Sequence, residues 1–211
     1  MNFNFNLNDD SLLGNGSIFN GGNAGRVENV SISMARKSET DPVNGPDVNF
    51  FYTDNSGGNI KDGYYKFTED QAKSKEDNEK AARLRLGKLL SIAKCIIPQD
   101  FQFPDVTNMS VNQVEETLLN IIHNNATPDK KVNVFVNYGR KSNPQQYLRV
   151  RNFNFIEKAG TPANQTRLTV NNNDDNMERI TPDAPNANTQ GGGFGNIPPA
   201  GNNAGGNFWN Q

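Results

Sequence analysis

Between Arg26 and Arg36 the chain alternates, with Val30, Ile32 and Met34 on one side and Asn29, Ser31 and Ser33 on the other. A period of two with one apolar side predicts a strand with one buried face. Val48 to Thr53 predicts a second strand and Ile60 to Phe67 a third, separated by the loop-forming run Asp54-Asn55-Ser56-Gly57-Gly58-Asn59. The period then changes. Ala82, Leu86, Leu89, Leu90, Ala93 and Ile97 share one face of a helix that Pro98 ends. Thr68-Glu69-Asp70-Gln71 reads as a capping box before it, and Ser110-Val111-Asn112-Gln113 opens a shorter helix with Val114, Leu118, Ile121 and Ile122. Alternation returns from Lys131 to Tyr138, where Val132, Val134, Val136 and Tyr138 oppose Asn133, Phe135 and Asn137. After a loop over 139–146, a last strand is predicted over Tyr147 to Lys158.

This order predicts a mainly β fold with inserted helices. Five strands with helices between strands 3 and 4 match the OB-fold, a five-stranded Greek-key barrel. An α+β sheet with its helices on one side is the other architecture the order allows. Outside 26–158 the periodicity fades into Asn- and Gly-rich sequence, which buries too little apolar surface to offset the entropy of ordering the backbone. The expected organisation is a flexible segment over 1–25, an OB-fold domain over 26–158, and a flexible, disordered tail over 159–211.

Composition changes this picture little and excludes much. Of 211 residues, 35 are Asn and only 34% are hydrophobic, and the two tails account for much of that without demanding a poor core. The single Cys95 excludes a disulfide framework and a multi-cysteine zinc site, and the single His123 leaves no histidine pair. Cys95 falls near the helix's apolar positions and reads as a small buried hydrophobe. His123 reads as a charge at a helix C-terminus. Glu115-Glu116 are neighbours that point different ways on a helix, and Asp174-Asp175 fall in the predicted tail. No catalytic, metal or cofactor constellation stands out, so a non-enzyme without cofactor is expected. No apolar run approaches the ~20 residues of a membrane span, and Met1 to Asn6 has no signal character. A soluble intracellular protein with no membrane partner is the expectation.

Charge is more informative. The net charge of −2 conceals a basic stretch over 130–158, where seven Lys and Arg stand against Glu157 alone. On the last predicted strand Tyr147, Arg149, Arg151, Phe153 and Phe155 share a face. A core face would have to give each arginine a buried partner. A face touching a polyanion with stackable bases would carry this mixture of guanidinium groups and rings. The alternative is a solvated outer face with Phe153 and Phe155 turned into the core past a bulge. In a five-stranded barrel the loops after strands 1 and 4 flank the binding face, and here they begin Arg36-Lys37 and Arg140-Lys141. Tyr64 and Lys66 on the third strand and Phe51 on the second extend the same surface if their side points outward, which alternation leaves open. The candidate nucleic-acid-binding set is thus Arg36, Lys37, Phe51, Tyr64, Lys66, Arg140, Lys141, Tyr147, Arg149, Arg151 and Phe153. Phe208 and Trp209, aromatic anchors in a polar tail, are candidates for docking a partner protein, with packing of the tail on the barrel or chance as the other reading.

Three stretches carry a family resemblance: Val27 to Ser38; Asn44-Gly45-Pro46-Asp47 with Asp54 to Tyr65; and Lys131 to Tyr138 with Tyr147 to Phe153. Over 26–158 the chain resembles the single-stranded DNA-binding proteins of tailed bacteriophages. The resemblance implies an OB-fold, a homo-oligomer or cooperative array, and sequence-tolerant coating and protection of single-stranded DNA during phage DNA replication or recombination in the host cytoplasm. It also implies a tail that recruits replication proteins. This tail departs from the acidic pattern, being Asn- and Gly-rich and ending Phe208-Trp209-Asn210-Gln211. The alternative function is a virion structural protein for capsid decoration or assembly. An RNA-binding OB protein is a third reading.

Overall fold

The structure, a computed structural model, describes residues 17–37 and 45–180. Phe208 and Trp209 lie outside the described residues. The elements are β1 (Gly25–Arg36), β2 (Val48–Thr53), β3 (Asn59–Tyr64), α1 (Lys75–Ile96), α2 (Val111–Asn125), β4 (Lys131–Arg140), β5 (Asn143–Val150) and β6 (Ile156–Lys158). The strands form one antiparallel sheet in the order β3-β2-β1-β4-β5, and β6 also pairs with β4.

The mainly β fold with two helices between the third and fourth strands is as expected, but the sheet is open and does not close into a barrel. The edge strands β3 and β5 approach to within 8 Å between Cα atoms without pairing. The end of β3 is claimed by α1: the Arg85 guanidinium donates to the carbonyls of Tyr65 and Lys66, the latter at 2.7 Å. β5 stops at Val150, where the chain swings away.

That swing splits the predicted last strand. β5 and β6 lie end to end along one edge of β4, separated by a bulge. Arg151 N–H donates to Phe135 O at 3.1 Å on one side of it, and Phe135 N–H to Phe155 O at 2.8 Å on the other. Asn154 takes φ 46° between them, a left-handed conformation that asparagine tolerates better than most side chains. The bulge turns Phe155 into the core and leaves Phe153 49% exposed.

One sheet face carries the core. Val30, Ile32, Phe50, Tyr52, Val132, Val134 and Val136 pack with Leu89, Ile92 and Ile96 of α1 and Leu119 and Ile122 of α2. Each large apolar side chain buried this way stabilises the fold by roughly 1.5–3 kcal/mol. The capping box at Ser110 and Gln113 forms as predicted. The one expected at Thr68 does not. α1 is capped by Ser74, because the buried Asn78 amide exchanges hydrogen bonds of 2.9 and 3.0 Å with the Asp70 backbone and folds 70–74 into a turn. Among the described residues no helix is long and apolar enough to cross a membrane.

The packed body is longer than the 26–158 expected, and buried side chains extend at least from Phe19 to Asp175. At the N-terminal end Phe19 is buried and Tyr138 donates its hydroxyl to Gly22 O at 2.5 Å. At the other end residues 159–177 lie over the outer face of β4, where Leu168 and Asp175 are buried. Asn133 and Asn137, which alternation would turn to solvent, are consequently buried and bonded to Glu157 and Asp175. Glu157 organises the start of this cover. It accepts from Arg26 Nε at 2.8 Å, Thr166 Oγ1 at 2.8 Å, Asn133 Nδ2 at 3.2 Å and Arg167 N–H at 3.3 Å. Burial works to raise the Glu157 carboxyl, but these donors outweigh it and hold it below its ordinary value.

A lowered carboxyl contributes stability at every pH above its unfolded value, near 4.5, and that contribution is lost as pH falls through the lower folded value. Thermal unfolding followed in acid should therefore show the wild-type melting temperature dropping below about pH 4.5. The Glu157→Gln variant, already less stable at neutral pH, should drop by less. Equal acid losses in both would show that Glu157 contributes nothing through its charge.

Candidate nucleic-acid interface

The site is built on the β4–β5 hairpin, which turns tightly at Lys141-Ser142. Gly139 permits the turn with φ 81°, and a Cβ there would stand 2.7 Å from Asn143 O. The outer side of this hairpin and the returning segment 167–175 enclose an open groove of about 570 Å³. Four arginines line it, Arg140, Arg149, Arg151 and Arg167, together with Phe153, several amides, and the carboxylates Asp174 and Asp175.

The four arginines do different work. Arg151 lies 4.1 Å above the Phe135 ring. It donates to Asp175 Oδ2 at 2.9 Å, to Thr169 O and Phe153 O at 2.8 Å, and to Asn154 O at 2.5 Å. Asp175 also accepts from Asn137 Nδ2 and from Asn171 N–H, each at 2.8 Å. Arg151 is therefore an internal tether that holds both the bulge and the C-terminal segment, and it is not available to a ligand. The guanidinium groups of Arg149 and Arg167 make no hydrogen bond or ion pair among the described residues, although the Arg167 N–H donates to Glu157. Arg140 stands 3.5 Å from Asp174 Oδ2 with both side chains about half exposed, a contact worth at most about 1 kcal/mol in water. Three cations in one groove thus remain open to an anion.

Several candidates from the sequence lie elsewhere. Tyr64 is buried and donates its hydroxyl to Glu115 Oε1 at 2.5 Å. Burial first, and then that bond and the nearby Glu115 charge, push its phenol far up, and it presents no ring for stacking. Arg36 donates to Glu116 Oε2 and Asn120 Oδ1, each at 2.8 Å, and Lys66 pairs with the same Glu116. These two bonds, led by Lys66, outweigh a smaller effect of burial and hold the Glu116 carboxyl low. Arg36, Tyr64 and Lys66 are thus fastened to α2. Phe51 sits half-buried on the outer face of β2 between Ser33 and Lys61, away from the groove. Lys37 is exposed at the end of β1. Lys141 donates to Asn172 O at 2.5 Å. Tyr147 is 71% exposed on the same strand as Arg149 but does not line the groove.

Arg167 and Asn152 escape the sequence reading, which sets aside Asp174 and Asp175; for all but Asn152 the reason is that the composition after 158 reads as tail. The signal present was Leu168, an apolar residue within that polar stretch that the structure buries, while nearby Val170 stays exposed. Cys95 is partly buried, and burial pushes its thiol up to about 12, with Lys158 opposing and Glu157 adding to the shift. Among the described residues no three His, Cys, Asp or Glu side chains come together as metal ligands. No protein family, curated protein or solved structure matches the chain.

The two neighbouring arginines separate by stability. Arg151→Ala strands the Asp175 charge and should cost about 3–5 kcal/mol, whereas Arg149→Ala should fall within about 0.5 kcal/mol of wild type. Urea unfolding of both variants checks this, and equal midpoints would refute the division of roles.

Proposed function

We propose that the chain is a non-enzymatic, sequence-tolerant single-stranded DNA-binding protein that coats and protects exposed strands, in keeping with the phage replication or recombination role its sequence resemblance implies. The observation that carries the reading is the groove between the β4–β5 hairpin and segment 167–175. There Arg140, Arg149 and Arg167 are open to anions beside the half-exposed ring of Phe153. Guanidinium groups pair with backbone phosphates through paired N–H donors, and a ring that offers a π-face accepts any base. The basic lining is matched internally by only two carboxylates, and Asp175 is fully engaged by Arg151 and Asn137. The strand order β3-β2-β1-β4-β5 also supports the reading. A β3–β5 pairing would close it into a five-stranded barrel of the kind that binds oligonucleotides through the loop between its fourth and fifth strands.

In this reading no bond is made or broken. The arginines track the phosphates and Phe153 stacks a base. Arg36, Lys66 and Tyr64 hold α2 to the sheet, and Arg151 builds the groove without touching DNA.

Titration of a fluorescent oligo-dT at several salt concentrations tests this. Neutralising about three phosphates at roughly 0.7 each gives a log–log salt slope of about −2 from the groove alone. The double change Arg149→Glu with Arg167→Glu should weaken binding by more than tenfold while leaving the melting temperature near wild type. No binding by the wild-type protein at micromolar concentration in low salt would refute the function.

A further inference from the structure

We propose that the unclosed seam of the sheet is a second binding site, a pocket for one unstacked nucleobase of the same bound strand. The proposal rests on the single-strand reading above and extends it to residues of β3 and α1. β3 ends at Tyr64 and β5 at Val150, and no strand pairing joins them. An open pocket of about 280 Å³ lies between the end of β3, α1 and the bulge residues Asn152 and Phe153 that follow β5. Its walls include Tyr65, Leu84 and Phe153, which are 56, 48 and 49% exposed. Single exposed apolar residues are ordinary, but three large ones around one concavity form a patch of the kind that marks a binding site.

The setting selects the occupant. Arg85 is anchored on the Tyr65 and Lys66 carbonyls, so the backbone beside the Tyr65 ring is fixed and the ring stays outside. Lys88, also in the wall, is held by Asp62 at 2.8 Å. The pocket thus has an apolar lining beside cations whose positions are fixed, which suits a planar ring attached to an anionic backbone. Its volume is slightly below the roughly 300 Å³ at which small-molecule pockets begin, room for a single base.

Continuity decides between a base and a peptide side chain. Arg140, Asn152 and Phe153 line both this pocket and the arginine groove. The loosely held Arg140 guanidinium stands at the boundary, where the phosphate linking two adjacent nucleotides would lie. Asn152, exposed and without a side-chain hydrogen bond among the described residues, offers the base edge both a donor and an acceptor. Because Phe153 lines both, a strand leaving the groove past its ring would reach the pocket.

The test compares wild type, Tyr65→Ala and Leu84→Ala in oligo-dT titrations, with circular dichroism to establish that each is folded. Both side chains are about half exposed, so neither change should unfold the domain. Loss of a stacking partner should weaken binding about tenfold in Tyr65→Ala. Oligonucleotides with one abasic position, moved along the strand, should include one that weakens wild type by a similar factor and leaves Tyr65→Ala unchanged. If wild type binds and Tyr65→Ala binds equally well at every abasic position, the pocket proposal falls while the groove reading stands. If wild type does not bind, both fall. If the variants alter the sedimentation of the free protein but not its DNA affinity, the seam is a protein contact and the base pocket is refuted.

Discussion

Asp175 retains 2% of its surface exposed, and a buried carboxylate must be met by donors or it costs several kcal/mol. Its donors come from three places: Arg151 beyond β5, Asn137 on β4, and the Asn171 N–H of its own turn. Satisfying one charge therefore fixes a hairpin, a bulge and the C-terminal segment to one another. The segment then covers the outer face of β4, which is why β4 is buried along both faces from Val132 to Tyr138. The groove exists because the segment that forms its far wall is held there.

The same constraint divides the basic residues. A cluster of positive charge in sequence says how much cation is near, but not which cations are free. Arg151, directed at carbonyls and Asp175, holds irregular backbone that no ladder of strand hydrogen bonds supports. The guanidinium of Arg149, two residues earlier, makes no hydrogen bond or ion pair among the described residues. Arg36 and Lys66 neutralise Glu116 on α2, and the buried Glu115 takes the Tyr64 hydroxyl and the Phe67 N–H. α2 is thereby bonded to the ends of β1 and β3, and its polar contacts hold residues that alternation alone would assign to a binding face.

Much of the fold was legible in the sequence. The Val30-Ile32-Met34 face, the strand at Val48–Thr53, the helix stop at Pro98 and the cap at Ser110 follow from period and local hydrogen bonding, and the structure has them. What was not legible depends on distant partners. Asn78 reaching back to Asp70 displaces the helix start from Thr68 to Ser74. The Asn154 bulge breaks a strand that reads as continuous and separates Phe153 from Phe155. Residues 159–180 read as tail because the segment docks through a few buried side chains, Leu168 and Asp175 among them, and through backbone hydrogen bonds of 174–176 to Tyr138, Gly139 and Lys141, which its polar composition does not show. Of the candidate site, Arg140, Arg149, Arg151 and Phe153 do come together, but the sequence carries no mark that makes one arginine a tether and its neighbour a free cation.

The central claim is that a docked C-terminal segment builds the groove proposed to bind single strands. Replacing Asp175 by Ala removes a negative charge from a basic site and also removes the side-chain bonds to Arg151, Asn137 and Asn171, leaving the segment held by Leu168 and its backbone bonds to β4; the lost charge and the loosened segment have opposite signs on DNA affinity. Oligo-dT affinity of Asp175→Ala, measured with hydrogen exchange over 159–180 on protein whose sheet remains folded, separates them. The account predicts faster exchange in that segment together with weaker binding. Unchanged exchange with tighter binding would contradict it, making the segment no more than an acidic neighbour of the basic hairpin.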